Sequence, residues 1–271
     1  MSNADIKNRI SAALGGYSKS KSKAFITYLT AGLPDYDTTK DLIRAQERGG
    51  VDAMELGIPF SDPTADGPVI QEASQEAIKN GASLKKTFEM VKELRSEGCD
   101  LPFIFMLYYN TVYHYGVEAF VNSCEEVGVD GFIIPDLPFE EQDEIDNYLR
   151  GKDTPILIQL ISPVSGDRIP MIAREAKGFI YCVSSMGVTG QDDGFYATIN
   201  EYLTSVKEAS DVPVMMGFGI KTAKDVEPMK DIVDGAIVGS YFLKLMKKSG
   251  YDPKTAEEYV RKFKEELNGK P

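Results

Sequence analysis

The feature that most limits the fold is an alternation of short apolar runs with longer amphipathic stretches, repeated eight times along the chain. The apolar runs are rich in β-branched and aromatic residues, and the stretches between them have the 3.6-residue period of a helix. Eight strand–helix alternations in about 250 residues predict an α/β fold of the TIM (β/α)8 barrel type. The predicted strands cover 25–30, 53–56, 103–108, 131–134, 156–161, 179–183, 212–216 and 235–238.

No Pro/Gly/Ser linker, low-complexity run or block of charge divides the sequence. A single domain over 1–271 is therefore expected, with the barrel at about 24–250, terminal helices at both ends and an extra N-terminal helix at 6–14. An open doubly wound sheet is the alternative, but it calls for a GxGxxG turn after the first strand, where this chain reads TAGLP. The other predicted helices cover 38–48, 83–97, 117–127, 140–150, 167–176, 196–209, 222–230 and 256–267.

The charge balance restricts the partners. The net charge of −12 disfavours nucleic acid and anionic membrane surfaces, and it requires that any anionic substrate be held by local groups. Three cysteines without a CxxC pair, no bilayer-spanning apolar segment and no signal-peptide core at the start of the chain predict a cytoplasmic protein.

Glu55 is the most unusual residue of the second predicted strand. Side chains alternate along a strand, so if Met54 and Leu56 pack on the helices, Glu55 points into the barrel. A carboxylate is costly to bury, and Glu55 is therefore a candidate catalytic group. The alternative is a structural role in which Glu55 pairs with a nearby polar group, although no Lys or Arg is close in sequence.

The loop that follows, 58–68, contains three prolines, which stiffen it, and two carboxylates, Asp62 and Asp66. Asp62 precedes a proline and has a ready explanation as a turn residue. Asp66 precedes a helix that begins near Val69, so it is either a helix cap or a catalytic group. Asp136, at the end of the fourth predicted strand, is a third carboxylate at the rim.

Tyr181, in the sixth predicted strand, has the same alternation as Phe179 and Val183 and is expected to face the barrel interior. A buried tyrosine hydroxyl needs a hydrogen-bond partner, which Glu55 or a substrate would provide. Cys182 has the opposite alternation and is interpreted as a residue of the helix-facing core.

Cations are absent from the predicted strand ends. None of them carries Lys, Arg or His, and the single histidine, His114, is placed in a polar, exposed loop after the third strand. The chain has no cluster of His or Cys for a metal and no strand lysine for a Schiff base, so no metal site is expected. Any carbon–carbon bond chemistry must then use carboxylates and a tyrosine.

Three glycine-rich loops follow the sixth, seventh and eighth predicted strands, at 184–190, 217–220 and 239–240. Backbone N–H groups of such loops, together with the positive end of a helix starting at Ser240, can bind a phosphate without cationic side chains. Simple tight turns are the alternative explanation of the glycines. The stretch 184–194 also has the composition of a mobile lid.

Five motifs together resemble the tryptophan synthase alpha subunit family, nearly from end to end: ELGIPFSDPTADGP (55–68), GVDGFIIPDLP (128–138), GVTG (187–190), GFGI (217–220) and GS (239–240). The first is highly specific. The resemblance implies retro-aldol cleavage of indole-3-glycerol phosphate to indole and glyceraldehyde 3-phosphate in tryptophan biosynthesis. It also implies a beta subunit as partner in an α2β2 heterotetramer, with pyridoxal phosphate only in that subunit and no cofactor in this chain.

The resemblance also implies residue roles. Glu55 and Asp66 match the catalytic carboxylates, Glu55 as the proton shuttle and Asp66 at the indole N–H, and Tyr181 matches an active-site tyrosine. Substrate or phosphate contacts are implied for Tyr28, Thr189, Gly190, Phe218, Gly219, Gly239 and Ser240. Positions at or near the beta-subunit contact are Asp62, Tyr108, Asn110 and Asp136.

The chain departs from the family pattern at two places. Ser185 and Met186 stand where many members carry Arg or Thr, which bears on lid contacts, and Tyr28 replaces a common Phe. Two other functions stay open: a non-catalytic barrel that binds a phosphorylated ligand and regulates a partner, and an isomerase of another pathway. The first gives no reason for Glu55, Asp66 and Tyr181 to occur together, and the second usually needs a His or Lys electrophile.

Overall fold

The computed structural model describes residues 7–183, 193–217 and 219–269. Its strand segments form one parallel sheet in the order β5-β4-β3-β2-β1-β9-β8-β7-β6. The segments are β1 (Ala24–Thr30), β2 (Ala53–Gly57), β3 (Phe103–Met106), β4 (Gly131–Ile133), β5 (Ile156–Leu157), β6 (Gln159–Ile161), β7 (Ile180–Cys182), β8 (Val214–Met216) and β9 (Gly235–Val238).

The two ends of that order, β5 and β6, are halves of one chain run separated only by Ile158. β5 pairs with β4 and β6 pairs with β7, and the Ile158 N–H donates to the Phe132 carbonyl at 2.9 Å. The run therefore joins both sides of the sheet and closes it into a barrel. The predicted TIM barrel is confirmed, the open-sheet alternative is wrong, and the fifth predicted strand is divided in two.

Helices follow the strands around the outside of the barrel. They are α1 (Arg9–Leu14), α2 (Tyr36–Gly49), α3 (Pro68–Lys79), α4 (Leu84–Ser96), α5 (Tyr109–Tyr115), α6 (Val117–Val127), α7 (Asp143–Leu149), α8 (Ile169–Glu175), α9 (Asp193–Ala209), α10 (Ser240–Lys248) and α11 (Pro253–Leu267).

Two predicted assignments, one helix and one loop, are corrected. The segment predicted as a helix at 222–230 is a 3₁₀ helix, Ala223–Met229, which starts with a capping box of Thr222 and Asp225 and contains Pro228. The proline lacks the N–H that an α-helix would need there. The loop predicted around His114 is helix α5, although His114 is exposed as expected.

The alternation of side chains along the strands divides the core into two layers. Residues of one parity, including Met54, Leu56 and Cys182, pack with the surrounding helices. Residues of the other parity, including Ala53 and Tyr181, fill the barrel interior with Ile10 and Leu14 of α1. The predicted inward direction of Tyr181 and helix-facing direction of Cys182 are both confirmed.

Helix α1 closes the amino-terminal end of the barrel. The Asn8 amide donates to the carbonyls of Asp130 and Asp153, at 2.8 and 3.0 Å, and to the Thr154 hydroxyl at 2.9 Å. Gly131 and Gly178 lie directly against Ile10, where a Cβ would come within 2.8 and 3.0 Å of its side chain. The carboxyl-terminal end of the barrel is thus the end left for a site.

Candidate active site

Glu55 occupies the middle of β2, where its neighbours Met54 and Leu56 pack outward, so its carboxyl points into the barrel as predicted. The residue is 1% exposed, and its Oε1 has no hydrogen-bond partner among the described residues. The alternative of a structurally paired glutamate therefore finds no support at this oxygen. Burial without a compensating charge raises the pKa of Glu55 to about 8.

Two tyrosines stand beside Glu55 inside the barrel. Tyr28 is the register partner of Glu55 across the β1–β2 pair, and its ring crosses Gly57 so closely that a Cβ there would lie 1.9 Å from the hydroxyl. Tyr181 crosses Gly217 in the same way. Burial, with the Glu55 and Asp66 carboxylates nearby, raises the pKa of both tyrosines, which keeps them neutral hydrogen-bond donors.

The expected hydrogen-bond partner of Tyr181 is corrected. The Tyr181 hydroxyl donates to the Gly217 carbonyl oxygen at 3.2 Å, and not to Glu55. The part of the prediction that named Glu55 is wrong, because it did not consider the backbone of the adjacent loop, and a contact of Tyr181 with substrate stays a prediction. The carbonyl fixes the Tyr181 ring, and the buried Glu55 lines neither of the two strand-end cavities described below.

Asp66 is held by Tyr108, a residue for which the sequence suggested only a partner contact. The buried Tyr108 hydroxyl donates to Asp66 Oδ2 at 2.9 Å and accepts from the Ala65 N–H at 3.0 Å. Helix α3 has Gly67 as its N-cap with no side-chain bond, so Asp66 is not the helix cap. Burial raises the pKa of Asp66, and the bond from Tyr108 opposes that shift.

A cavity of about 380 Å³ opens at the carboxyl ends of the strands and brings several of the predicted residues together. Asp66 and Tyr181 line it, and so do the glycine loops, through Gly217, Gly219, Gly239 and Ser240. A second cavity, of about 430 Å³, shares Ala65, Met106 and Val183 with the first and extends over the ends of β4 and β6. A larger cavity, of about 460 Å³, lies beside α7, and none of the predicted site residues lines it.

Two lysines also line the first cavity, Lys221 after the β8 loop and Lys244 in α10. The prediction that the strand ends carry no cation is not contradicted, since both lysines lie beyond the strands, in a loop and a helix. The spacing of Ser240 and Lys244 is the pattern that sequence reasoning overlooked, because residues four apart share a helix face.

The remaining predicted residues form two groups: one is exposed at the rim, and the other lies outside the residues that the structure describes. Asp62, Asn110 and Asp136 are exposed at the rim, where the Asp136 carboxylate accepts from the Tyr109 N–H at 2.9 Å and caps α5. Thr189, Gly190 and Phe218, with Ser185, Met186 and most of the predicted lid at 184–194, lie outside the described residues.

Over 7–183, 193–217 and 219–269, no group of three or more His, Cys, Asp or Glu residues is placed to hold a metal ion. No helix in these ranges is long and apolar enough to cross a membrane.

Comparisons with known proteins agree on one family. A profile described as "Tryptophan synthase alpha chain" matches residues 16–270. The tryptophan synthase alpha chain of Lachnospira eligens is 61% identical over 262 residues, 96% of this chain and 99% of that one. That of Alkaliphilus metalliredigens is 44% identical over 260 residues, 96% of this chain and 97% of that one.

Solved structures give the same result. The tryptophan synthase subunit alpha from Legionella pneumophila superposes with a TM-score of 0.87 at 30% identity, covering 97% of this chain and 99% of that one. A structure of the tryptophan synthase complex from Pyrococcus furiosus contains a chain that superposes with a TM-score of 0.78 at 34% identity, covering 91% and 98%. With a buried glutamate inside a closed barrel, an aspartate at the mouth and similarity over almost its whole length, the chain belongs to the tryptophan synthase alpha chain family.

Proposed function

We propose that Glu55 and Asp66 carry out the carbon–carbon lyase reaction of this family, in which indole-3-glycerol phosphate is cleaved to indole and glyceraldehyde 3-phosphate during tryptophan biosynthesis. The chain acts as a single barrel domain. The observation that carries the proposal is the buried Glu55, whose Oε1 has no partner in the part of the chain that the structure describes and whose pKa is about 8. Such a group can both give and take a proton near neutral pH.

The chemistry needs a proton at indole C3 before the bond can break, because an aryl carbanion is too unstable to leave. Protonated Glu55 donates to C3, and the positive charge then rests on the ring nitrogen. The Asp66 carboxylate stabilises that N–H. The bond between C3 and the side chain breaks with its electron pair returning to the ring. Glu55 recovers a proton from the hydroxyl on the side-chain carbon next to this bond, and that carbon becomes the aldehyde.

The rest of the site orients the substrate. Tyr28 and Tyr181 flank Glu55, and the apolar walls of the two joined cavities, including Met106 and Val183, provide room for an indole ring. The phosphate binds to backbone N–H groups at Gly219, Gly239 and Ser240 at the start of α10, where the helix dipole is positive. Thr189, Gly190 and Phe218 complete this set of contacts.

A beta subunit is the proposed partner, in an α2β2 assembly, and pyridoxal phosphate is proposed for that subunit alone. The exposed Asp62, Asn110 and Asp136 are at the mouth of the barrel, so a subunit bound there would lie next to the substrate. Tyr108, which neighbours this rim, donates a hydrogen bond to Asp66 and so connects the proposed interface with the catalytic carboxylate. A cytoplasmic location is proposed with this assignment.

Indole release from indole-3-glycerol phosphate tests the proposal, with the purified chain alone and with a tryptophan synthase beta subunit. Slow release alone and faster release with the partner are expected. Glu55→Gln and Asp66→Asn should each lower the rate by on the order of 10²-fold or more while inorganic phosphate still binds. Near-normal turnover in either variant would contradict the assigned roles. No release by the wild type, with phosphate still bound, would favour a regulatory binding barrel.

A further inference from the structure

We propose that Lys244 and Lys221 neutralise the substrate phosphate and give this chain its preference for a phosphorylated substrate over the same molecule without phosphate. The inference rests on the proposed function and extends it to two residues whose role the glycine loops do not explain. Both lysines line the cavity that contains Asp66, Gly219 and Ser240.

Lys244 is placed by the geometry of α10. Ser240 is the first residue of the helix and Lys244 lies four positions on, so the two share a face. Side chains of a helix lean toward its N-terminus, and this carries the Lys244 ammonium back over the turn where Gly239 and Ser240 offer their N–H groups.

The Lys244 ammonium is also available, since the structure gives it no hydrogen bond or ion pair with any described residue. Lys247 of the same helix does have partners, because its ammonium donates to the Glu72 and Glu76 carboxylates at 2.9 and 3.1 Å. Its charge is committed to α3, whereas that of Lys244 faces the cavity.

Lys221 approaches the same cavity from the β8 side on a fixed backbone. Its N–H donates to the Asp225 carboxylate at 2.9 Å, and its carbonyl accepts from the Tyr259 hydroxyl at 2.8 Å. The backbone is held by two bonds, and the side chain has no partner among the described residues.

The charge balance of the cavity explains why cations are needed. A phosphate monoester carries a charge of about −1.5 to −2 at neutral pH, and the chain carries −12 with Asp66 on the same cavity wall. A helix N-terminus supplies the equivalent of about +0.5. Two lysines bring the local balance close to neutral, and because they contact the phosphate and not the reacting bond, they strengthen substrate and transition-state binding equally.

The test compares Lys244→Gln and Lys221→Gln with Lys248→Gln and Lys224→Gln. The latter two remove exposed lysines of the same two segments that have no partner among the described residues and do not line the cavity. For each cavity variant, the KM for indole-3-glycerol phosphate and the Kd for inorganic phosphate should rise about 5- to 10-fold with kcat nearly unchanged. Turnover of the substrate without phosphate should not change. The double variant should lose most of the discrimination, and the two control variants should stay within about twofold of wild type.

The outcomes separate this proposal from the proposed function. If the wild type releases indole and Lys244→Gln and Lys221→Gln behave like the controls, the lysine assignment is overturned and the lyase assignment stands. Calorimetry with inorganic phosphate needs no turnover, so weaker phosphate binding in the cavity variants supports the lysine assignment even if no indole is released. Equal loss of activity on both substrates would show a structural effect and would also overturn it.

Discussion

The Tyr108 hydroxyl donates to the Asp66 carboxylate at 2.9 Å and at the same time accepts from the Ala65 N–H at 3.0 Å. One buried hydroxyl therefore fixes both the carboxylate and the backbone of the loop that presents it. Tyr108 is in turn stacked on Phe60, with ring centroids 5.1 Å apart. The position of Asp66 thus depends on a residue at the start of α5, beside the exposed rim.

Tyr108→Phe should lower kcat about tenfold or more, because a hydrogen bond to a charged group contributes roughly 1.5–3 kcal/mol. The bond lowers the pKa of Asp66, so its loss should raise that pKa and move the acid limb of the rate profile to higher pH. Steady-state kinetics across pH 5–9 measure both effects. Tyr109→Phe is the control, since the Tyr109 hydroxyl bonds Glu144 outside the site, and an unchanged acid limb in Tyr108→Phe would refute the role of Tyr108.

The pH dependence of kcat/KM should be bell-shaped. Glu55 must carry its proton in the free enzyme to act first as an acid, so the rate should fall as pH rises through about 8. Asp66 must be ionised, so the rate should also fall at low pH, at a value above the ordinary range for an aspartate. A rate that stays constant well above pH 9 would exclude Glu55 as the initial acid.

Glu55→Gln should change how stability depends on pH. The carboxyl has an ordinary pKa of 4.5 and a folded-state pKa of about 8, so between these values the unfolded chain loses a proton that the folded chain retains. Wild-type stability therefore falls, relative to the variant, as pH rises from about 4.5 through about 8, by on the order of 5 kcal/mol, and the difference levels off above that range.

Denaturant unfolding at pH 5 and pH 8 measures that difference, and the two proteins should be close at pH 5, with the variant more stable at pH 8. Glu89→Gln, at an exposed position of α4, should show no such trend. A difference that is the same at both pH values would mean that Glu55 is not protonated in the folded protein.

The eight strand–helix alternations were sufficient to predict the barrel, and the alternation of side chains along each strand predicted the direction of its key side chains. Glu55 and Tyr181 were placed inside and Cys182 outside from parity alone, because a one-residue shift would exchange the two faces of a strand. The glycine-rich loops were placed at one end of the barrel because the order of strands and loops along the chain fixes which end they share.

Contacts between distant segments could not be predicted in this way. The Tyr108–Asp66 bond joins residues 42 positions apart, and the Tyr181–Gly217 bond joins residues 36 apart. Both depend on loop paths that have no period in the sequence. The division of the fifth strand at Ile158 was also missed, because the run 156–161 reads as one β-rich segment and carries no mark of the point where it changes from one strand neighbour to the other.

Gly217→Ala should displace Tyr181. A Cβ at Gly217 would lie 2.4 Å from the Tyr181 ring and hydroxyl, too close for either group to keep its place. We expect a loss of about 1–3 kcal/mol of stability from overpacking and a lower kcat/KM, measured by unfolding and by indole release. Gly16→Ala, where no atom lies within 4 Å of the added carbon and the backbone is helical, should leave both unchanged or slightly raise stability. Equal effects of the two changes would mean that Tyr181 adapts.

An aspartate at the start of a strand recurs three times at the amino-terminal end of the barrel. Asp52, Asp130 and Asp234 directly precede β2, β4 and β9. Each carboxylate accepts from a backbone N–H of the neighbouring strand, at Phe25, Phe103 and Val214, with distances of 2.6, 2.8 and 2.8 Å. Each also pairs with a cation, supplied by Lys264, Arg95 and Lys207 in turn. These bonds join neighbouring strands where the barrel carries no catalytic group.

Asp130→Asn should be the most destabilising change among these three positions, because Asp130 is fully buried and pairs with both Arg95 and Arg9. The asparagine can still accept from the Phe103 N–H, but Arg95, which also donates to three backbone carbonyls, is left with an uncompensated buried charge. A loss of roughly 3–5 kcal/mol is expected in denaturant unfolding. Asp100→Asn removes the other, 93% exposed partner of Arg9 and should change stability by less than about 0.5 kcal/mol. If both variants unfold at the same denaturant concentration, the paired aspartates do not hold the barrel together.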